Sequence, residues 1–253
     1  MLSVNIIPCL QDNYSFVIQD TETNIIAVID PSEFEPINNF IKKKFKKIDY
    51  ILNTHHHFDH TGGNLDLKKK YNSKVIGYKK DEKRIPGIDI KLSDNENFKL
   101  GNVNFKIFFI PGHTNGHICF YSKNEKVIFT GDTLFSLGCG RVFEGTHLEM
   151  LKSLNLIKKL PADTKIYCGH EYTQKNLDFC IKYEGNNKLE EKKNWIVSRL
   201  RQKQPTIPIT IKEELITNIF LRCGNSKVKK SLNMENATEL EVFKKLRDLK
   251  DVF

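Results

Sequence analysis

None of the six cysteines stands in a C-x-x-C pair; they are scattered at Cys9, Cys119, Cys139, Cys168, Cys180 and Cys223. That spacing argues against a disulfide framework and against a cysteine zinc site. Several of them lie inside apolar runs, where a reduced thiol packs as a small hydrophobe, so a reducing compartment is expected. No apolar run approaches the roughly 20 residues that span a bilayer. The start of the chain shows neither an apolar signal segment nor an arginine-rich presequence. A cytoplasmic location without a membrane partner is the expectation. Internal repeats and low-complexity linkers are missing as well. The net charge of +9 comes from lysines spread along all 253 residues, without a basic and aromatic RNA motif. It reads as a solvated basic surface, and no nucleic-acid partner is expected.

What the chain has is a dense set of metal-capable side chains at 54–60, Thr-His-His-His-Phe-Asp-His. Read as ligands, the pattern is His55-x-His57-x-Asp59-His60. Imidazole and carboxylate together suit borderline divalent cations such as zinc. Residues two apart in a tight loop can aim at one ion, and the Asp-His pair at another. One loop cannot fill two sites of four to five ligands, so more must come from further along. A strand-like run, Ile48 to Leu52, feeds this loop through Asn53-Thr54. Three other apolar runs end in the same way. Ile107 to Pro111 leads into Gly112-His113, Val127 to Thr130 into Gly131-Asp132, and Ile166 to Cys168 into Gly169-His170. A single histidine after a strand is ordinarily a hydrogen-bonded surface or core residue. Four repeats of one pattern make a two-metal site the better reading, placed where strand ends collect function.

Strand-like segments at 3–8, 14–20 and 25–30 precede a helical pattern from Pro31 to Lys46 with Phe34, Ile37, Phe40 and Ile41 on one face. A helix at 65–71 and strands at 74–78, 88–92, 98–100, 103–110, 117–122 and 126–130 follow. Leu148 to Leu160 is amphipathic and stops at Pro161. After Tyr172 the chain reads as charged helices without a strand: 177–183, 188–201, 212–221 and about 238–252. The expected boundary gives a catalytic domain at 1–172 and a helical, substrate-binding domain at 173–253. The first part suits two sheets with helices outside.

Four motifs, THxHxDH, PGHTxGH, TGDTLF and YCGHEYT, resemble the metallo-β-lactamase superfamily. Together with GCGRVFEGT at 138–146 they resemble its glyoxalase II, or hydroxyacylglutathione hydrolase, family over nearly the whole chain. The resemblance implies an α/β fold, an αββα sandwich followed by a small all-helical C-terminal domain. It implies that His55, His57 and His113 hold one metal, that Asp59, His60 and His170 hold a second, and that Asp132 bridges them. The ions are expected to be two Zn2+, with iron or manganese as the other candidates. The implied reaction is hydrolysis of S-(2-hydroxyacyl)glutathione, typically S-D-lactoylglutathione, by a hydroxide bridging the metals, with Asp59 and Asp132 as the catalytic carboxylates. Arg141, Val142, Phe143, Glu171, Tyr172, Arg247 and Lys250 are implied to bind the glutathione thioester. Arg247 and Lys250, three apart on one helical face, would hold its glycine carboxylate from a solvent-accessible position. Phe143 stands where some members carry tyrosine, which removes one hydroxyl contact. His56, His117 and His147 are expected outside the ligand set. A monomer is expected. The alternatives are a persulfide dioxygenase of the same superfamily, with one iron and fewer ligands, and a basic RNA-binding or RNA-processing protein.

Overall fold

A computed structural model describes residues 1–253, which divide into two compact units. The first comprises Met1–Phe109 with Gly116–Gly131, the second Ile110–Asn115 with Asp132–Phe253.

In the first unit β1 (Leu2–Cys9), β2 (Asn13–Asp20), β3 (Ile25–Ile29), β4 (Tyr50–Leu52), β5 (Lys74–Tyr78) and β6 (Ile88–Leu92) form one sheet in sequence order. The first pairings, β1 with β2 and β2 with β3, are antiparallel, as short turns allow. From β3 to β6 the strands run parallel. Parallel neighbours need a crossover. Helices α1 (Phe34–Lys44) and α3 (Asn64–Tyr71) supply two of them, with one helical turn, α2 (Phe58–Thr61), between. Ile37 and Ile41 of α1 and Leu67 of α3 pack on Val17, Val28, Ile51 and Val75 of the sheet, all without solvent exposure. Lysines 42–44 close α1, where positive charge suits the carbonyl end of a helix.

The unit's remaining strands, β7 (Asn97–Leu100), β8 (Val103–Phe109), β9 (Ile118–Ser122) and β10 (Val127–Gly131), form an antiparallel meander. It faces the first sheet through tilted aromatic pairs. Phe16 lies 5.3 Å from Phe129, and Tyr50 lies 5.3 Å edge-on to Phe98. Such rings bury large areas and add about 0.5–1.5 kcal/mol per pair beyond the burial. The register aligns Ile29 with Leu52 and Leu52 with Ile76. The C-terminal ends of β3 and β4 are therefore level, with β5 running two residues further, and the chain leaves the three strands at Asp30, Asn53 and Lys79.

The second unit contains a tight hairpin of β11 (Leu134–Phe135) and β12 (Gly138–Cys139) and the helix α4 (His147–Ile157). It continues with β13 (Lys165–Cys168), α5 (Thr173–Tyr183), α6 (Asn187–Arg201), β14 (Ile209–Thr210), α7 (Ile211–Thr217), α8 (Ser226–Ser231) and α9 (Glu239–Asp251). Capping boxes at Thr146–Glu149, Thr210–Glu213 and Thr238–Glu241 start α4, α7 and α9. Phe179, Phe220 and Phe243 make its aromatic core, with ring centroids 5.7 and 6.1 Å apart.

Three expectations for this half need correcting. A strand does occur after Tyr172: Ile209–Thr210 pairs antiparallel with Lys165 and Ile166. The helix expected at 212–221 ends at Thr217, because Asn218 is extended and its side chain caps a 3-10 turn at Ile219–Arg222. The short α8, capped by Asn225, was not expected from the sequence. No helix is long and apolar enough to cross a membrane.

Candidate metal centre

Each ligand candidate follows a strand in the way the sequence predicts. His55 and His57 stand in the loop after β4, and Asp59 and His60 in the single turn α2. His113 follows β8, Asp132 follows β10 and His170 follows β13.

In the first unit a residue outside the expected set organises the loop. Asp30 follows β3, is 1% exposed, and accepts from three donors. Thr54 donates its main-chain N–H to Asp30 Oδ1 at 2.7 Å and its hydroxyl to Oδ2 at 2.7 Å. His60 donates Nδ1–H to the same Oδ2 at 3.0 Å. Since the Thr54 hydroxyl proton goes to Asp30, its oxygen accepts from His55 Nδ1 at 3.0 Å. Both histidines therefore carry their lone pair on Nε2. His55 Nε2 points at His57 Nδ1, 3.1 Å away, and His60 Nε2 lies 3.6 Å from Asp59 Oδ2. Asn13, the first residue of β2, donates Nδ2–H to Asp59 Oδ2 and to its main-chain oxygen, both at 3.0 Å. Ligand atoms of Asp30, His55 and His60 also lie within 4.8 Å of one another. Asp30 is nonetheless a supporting carboxylate, because its oxygens are occupied by Thr54 and His60.

His56 turns away from its neighbours. Its Nδ1 lies 3.3 Å from Asp81 Oδ2 and its Nε2 3.3 Å from Arg84. Buried His117 stacks on His55, with ring centroids 4.6 Å apart.

In the second unit Asp132 Oδ2 lies 3.5 Å from His113 Nε2 and 3.2 Å from His170 Nε2. His113 Nδ1 donates to the carbonyl of Arg141 at 2.9 Å, which again leaves the lone pair on Nε2. One carboxylate oxygen set between two imidazole nitrogens is the arrangement a shared ligand needs. The donor chemistry in both units thus fits divalent cations: imidazole lone pairs aimed together, carboxylates beside them, and outer hydrogen bonds fixing the tautomers.

The residues expected to bind substrate divide into exposed and buried groups, all in the second unit. Phe143 is 61% exposed with its ring 5.2 Å from His113, and Val142 beside it is half-buried. Tyr172 stacks flat on His170, centroids 4.7 Å apart. Arg141 is exposed and pairs with Asp251, Nε to Oδ1 at 3.4 Å. Glu171 accepts from the N–H of Thr206 at 2.9 Å and from its hydroxyl at 2.8 Å. The expected exposure of Arg247 is overturned: it is 3% exposed, and its guanidinium donates to Cys139 O at 2.8 Å and to Asp251 at 3.0 Å. Lys250 is half-buried between the rings of Phe179 and Phe253 and donates to Lys175 O at 2.9 Å. Burial, with Arg247 nearby, lowers its pKa to about 8. His147 lies 3.7 Å from Asp248.

A model of the metallo-beta-lactamase superfamily matches residues 10–170, and one of the hydroxyacylglutathione hydrolase C-terminus matches 171–253. The hydroxyacylglutathione hydrolase of Pelagibacter ubique is 54% identical over 253 residues, covering 100% of both chains. That of Methylococcus capsulatus is 41% identical, covering 100% of this chain and 99% of its own. Among solved structures, the BLEG-1 B3 metallo-beta-lactamase superposes with a TM-score of 0.66 at 23% identity, over 87% of this chain and 99% of that one. ETHE1 from Myxococcus xanthus gives 0.66 at 20%, over 98% and 96%. The two structural likenesses concern the fold alone. It is the expected one, a mixed α/β metallo-β-lactamase fold with two sheets followed by a helical C-terminal region. Matched along its whole length, the chain belongs to the metallo-β-lactamase superfamily and, within it, to the hydroxyacylglutathione hydrolases.

Proposed function

We propose that this chain is a hydroxyacylglutathione hydrolase, cleaving S-(2-hydroxyacyl)glutathione, typically S-D-lactoylglutathione, to glutathione and the free hydroxy acid. The observation that carries this reading is the 54% identity to a hydroxyacylglutathione hydrolase over the full chain, helical region included. It favours thioester hydrolysis over a persulfide dioxygenase or an RNA-processing role.

In this reading His55, His57 and His113 hold one divalent ion, Asp59, His60 and His170 hold a second, and Asp132 is shared. Zinc suits this imidazole and carboxylate set, with iron and manganese as the other candidates. Two such cations supply Lewis acidity, polarising a carbonyl and lowering the pKa of bound water. The chain's own contribution is orientation. Asp30 and Thr54 fix the lone pairs of His55 and His60, Arg141 O fixes that of His113, and Asn13 steadies Asp59. The leaving group is a thiolate, whose parent thiol has a pKa of roughly 8.5, so a dedicated histidine acid is not needed. This agrees with His56, which is occupied by Asp81 and Arg84.

For the substrate we assign Tyr172, Phe143 and Val142 to the acylglutathione body. Arg141 and Lys250 are assigned to its carboxylates, with Arg247 and Glu171 behind them. Residues 1–172 then form the catalytic domain and 173–253 the substrate-binding domain of a cytoplasmic monomer. Loss of thioester absorbance with S-D-lactoylglutathione, measured alongside metal content, tests the proposal. A metal-loaded chain that leaves the thioester intact would refute it.

A further inference from the structure

Side chains from α5, α7 and α9, together with Asn218 just after α7, hold the hairpin that follows Asp132. Asn218 Nδ2 donates to the carbonyls of Phe135 (3.4 Å) and Gly138 (3.0 Å), and Asn176 Nδ2 to that of Ser136 (2.9 Å). The Cys180 thiol donates to Leu137 O at 3.3 Å, and the Leu137 N–H donates to buried Glu214 at 2.8 Å. Arg247 completes the run, with Nη1 2.8 Å from Cys139 O and 3.4 Å from Gly140 O. Every carbonyl from Phe135 to Gly140 thus accepts from α5, α9 or Asn218.

The end of this run touches the metal-ligand set. A Cβ on Gly140 would lie 1.9 Å from Asp132 O and 3.2 Å from His113 Nδ1, so the turn presses directly on both residues. The next carbonyl, Arg141 O, is the one that accepts from His113 Nδ1. Resting on the reading of His113 as a ligand, we propose that Arg247 is a positioning residue for the metal centre. It pins the Cys139–Gly140 turn, and so holds the Arg141 carbonyl where it orients His113. The role expected from the family, an anchor for a carboxylate, needs open donors. Here Nη1 is taken by the turn and Nη2 by Asp251, and the one donor nitrogen left over, Nε, is buried in a side chain that is 3% exposed. The hold on the turn, made through Nη1, is thus separate from any contact a carboxylate could make at Nε.

The experiment compares the full-length wild type with Arg247→Lys and Arg247→Ala, each loaded with Zn2+. It measures zinc per chain, zinc affinity by chelator competition, and hydrogen exchange across 138–143. Steady-state kinetics are run on S-D-lactoylglutathione and on a small thioester without the glycine carboxylate. Loss of an outer hydrogen-bond partner typically costs about 10- to 100-fold in metal affinity. We expect Arg247→Ala to weaken one of the two ions by that order, to speed exchange at Gly140 and Arg141, and to lower kcat on both thioesters. Arg247→Lys, able to reach one carbonyl, should fall between. A folded Arg247→Ala chain that keeps both ions at wild-type affinity, and changes only KM for S-D-lactoylglutathione, would overturn the proposal. If that variant fails to fold, wild-type zinc affinity and wild-type exchange in Arg247→Lys would overturn it equally. A wild type that binds no zinc or spares the thioester counts against the hydrolase reading instead.

Discussion

His60 Nδ1 lies 3.0 Å from Asp30 Oδ2, and both side chains are 1% exposed. The same oxygen accepts the Thr54 hydroxyl, whose own oxygen accepts from His55. One carboxylate therefore sets the tautomer of two ligand candidates. Asp30→Ala should leave several buried donors without partners, at about 1–3 kcal/mol each. It should also weaken metal binding by roughly 10- to 100-fold. Denaturant midpoint and metal content after dialysis against a chelator check both effects. An unchanged midpoint with two ions retained would contradict the assignment.

Asp132 Oδ2 between the Nε2 atoms of His113 and His170 leads to a second expectation. Asp132→Ala should lose metal from both positions, since the shared carboxylate is gone. His170→Ala should lose chiefly one ion. Hydrolysis should drop by orders of magnitude in each, because metal-assisted attack needs the complete set. Metal analysis beside initial rates settles it: two ions per chain and near-normal turnover in either variant would mean that the ligands are misassigned.

The ligand candidates were legible because each follows an apolar run and a small turn, a local pattern. Asp30 obeys half of that pattern. It follows Ile25–Ile29 without an intervening turn, and nothing in its neighbourhood marks it as a partner of His60. The partners of His56 lie 25 and 28 residues away, a separation that only the fold closes. Arg247 was misjudged by residue type, since arginine is rarely fully buried. Helical periodicity places it one turn after Phe243, on the buried face of α9 beside Leu246. The carbonyls of Cys139 and Gly140 make that position hospitable to a cation. The two-residue strand β14 and the short α8 are too brief for any periodicity to register.

His56→Ala provides the contrast to the ligand variants. Its ring reaches Asp81 and Arg84, and Asp81 keeps the Arg84 guanidinium when the ring is removed. Both ions and most of the turnover should survive, with a stability loss of about 1 kcal/mol. Gly116→Ala should do more harm at the same cluster, because its Cβ would fall 2.0 Å from the Asp81 carboxyl carbon. A metal-free His56→Ala chain would show that the loop presents different side chains to the ions.

If Lys250 holds a substrate carboxylate as proposed, it should give the reaction a pH signature. Its ammonium is desolvated between Phe179 and Phe253, with ring centroids 5.0 and 4.9 Å away. Burial is the first cause of its lowered pKa of about 8. Arg247 and Lys175 push the same way, while Asp178 and the Cys180 thiol oppose. The sign follows from the charged form being disfavoured in the folded chain. Lys250 is cationic below about pH 8 and neutral above it. Its contribution to stability therefore grows as pH rises from there toward the unfolded lysine value of roughly 10.4. Only the cation can hold a carboxylate, so kcat/KM for S-D-lactoylglutathione should fall as pH rises through about 8, mainly through KM. A small thioester without the glycine carboxylate should lack that limb, and Lys250→Met should lose it for S-D-lactoylglutathione. Parallel kcat/KM profiles between pH 6 and 9.5 provide the check. The same fall for both substrates in the wild type would assign it to another group and remove Lys250 from substrate binding.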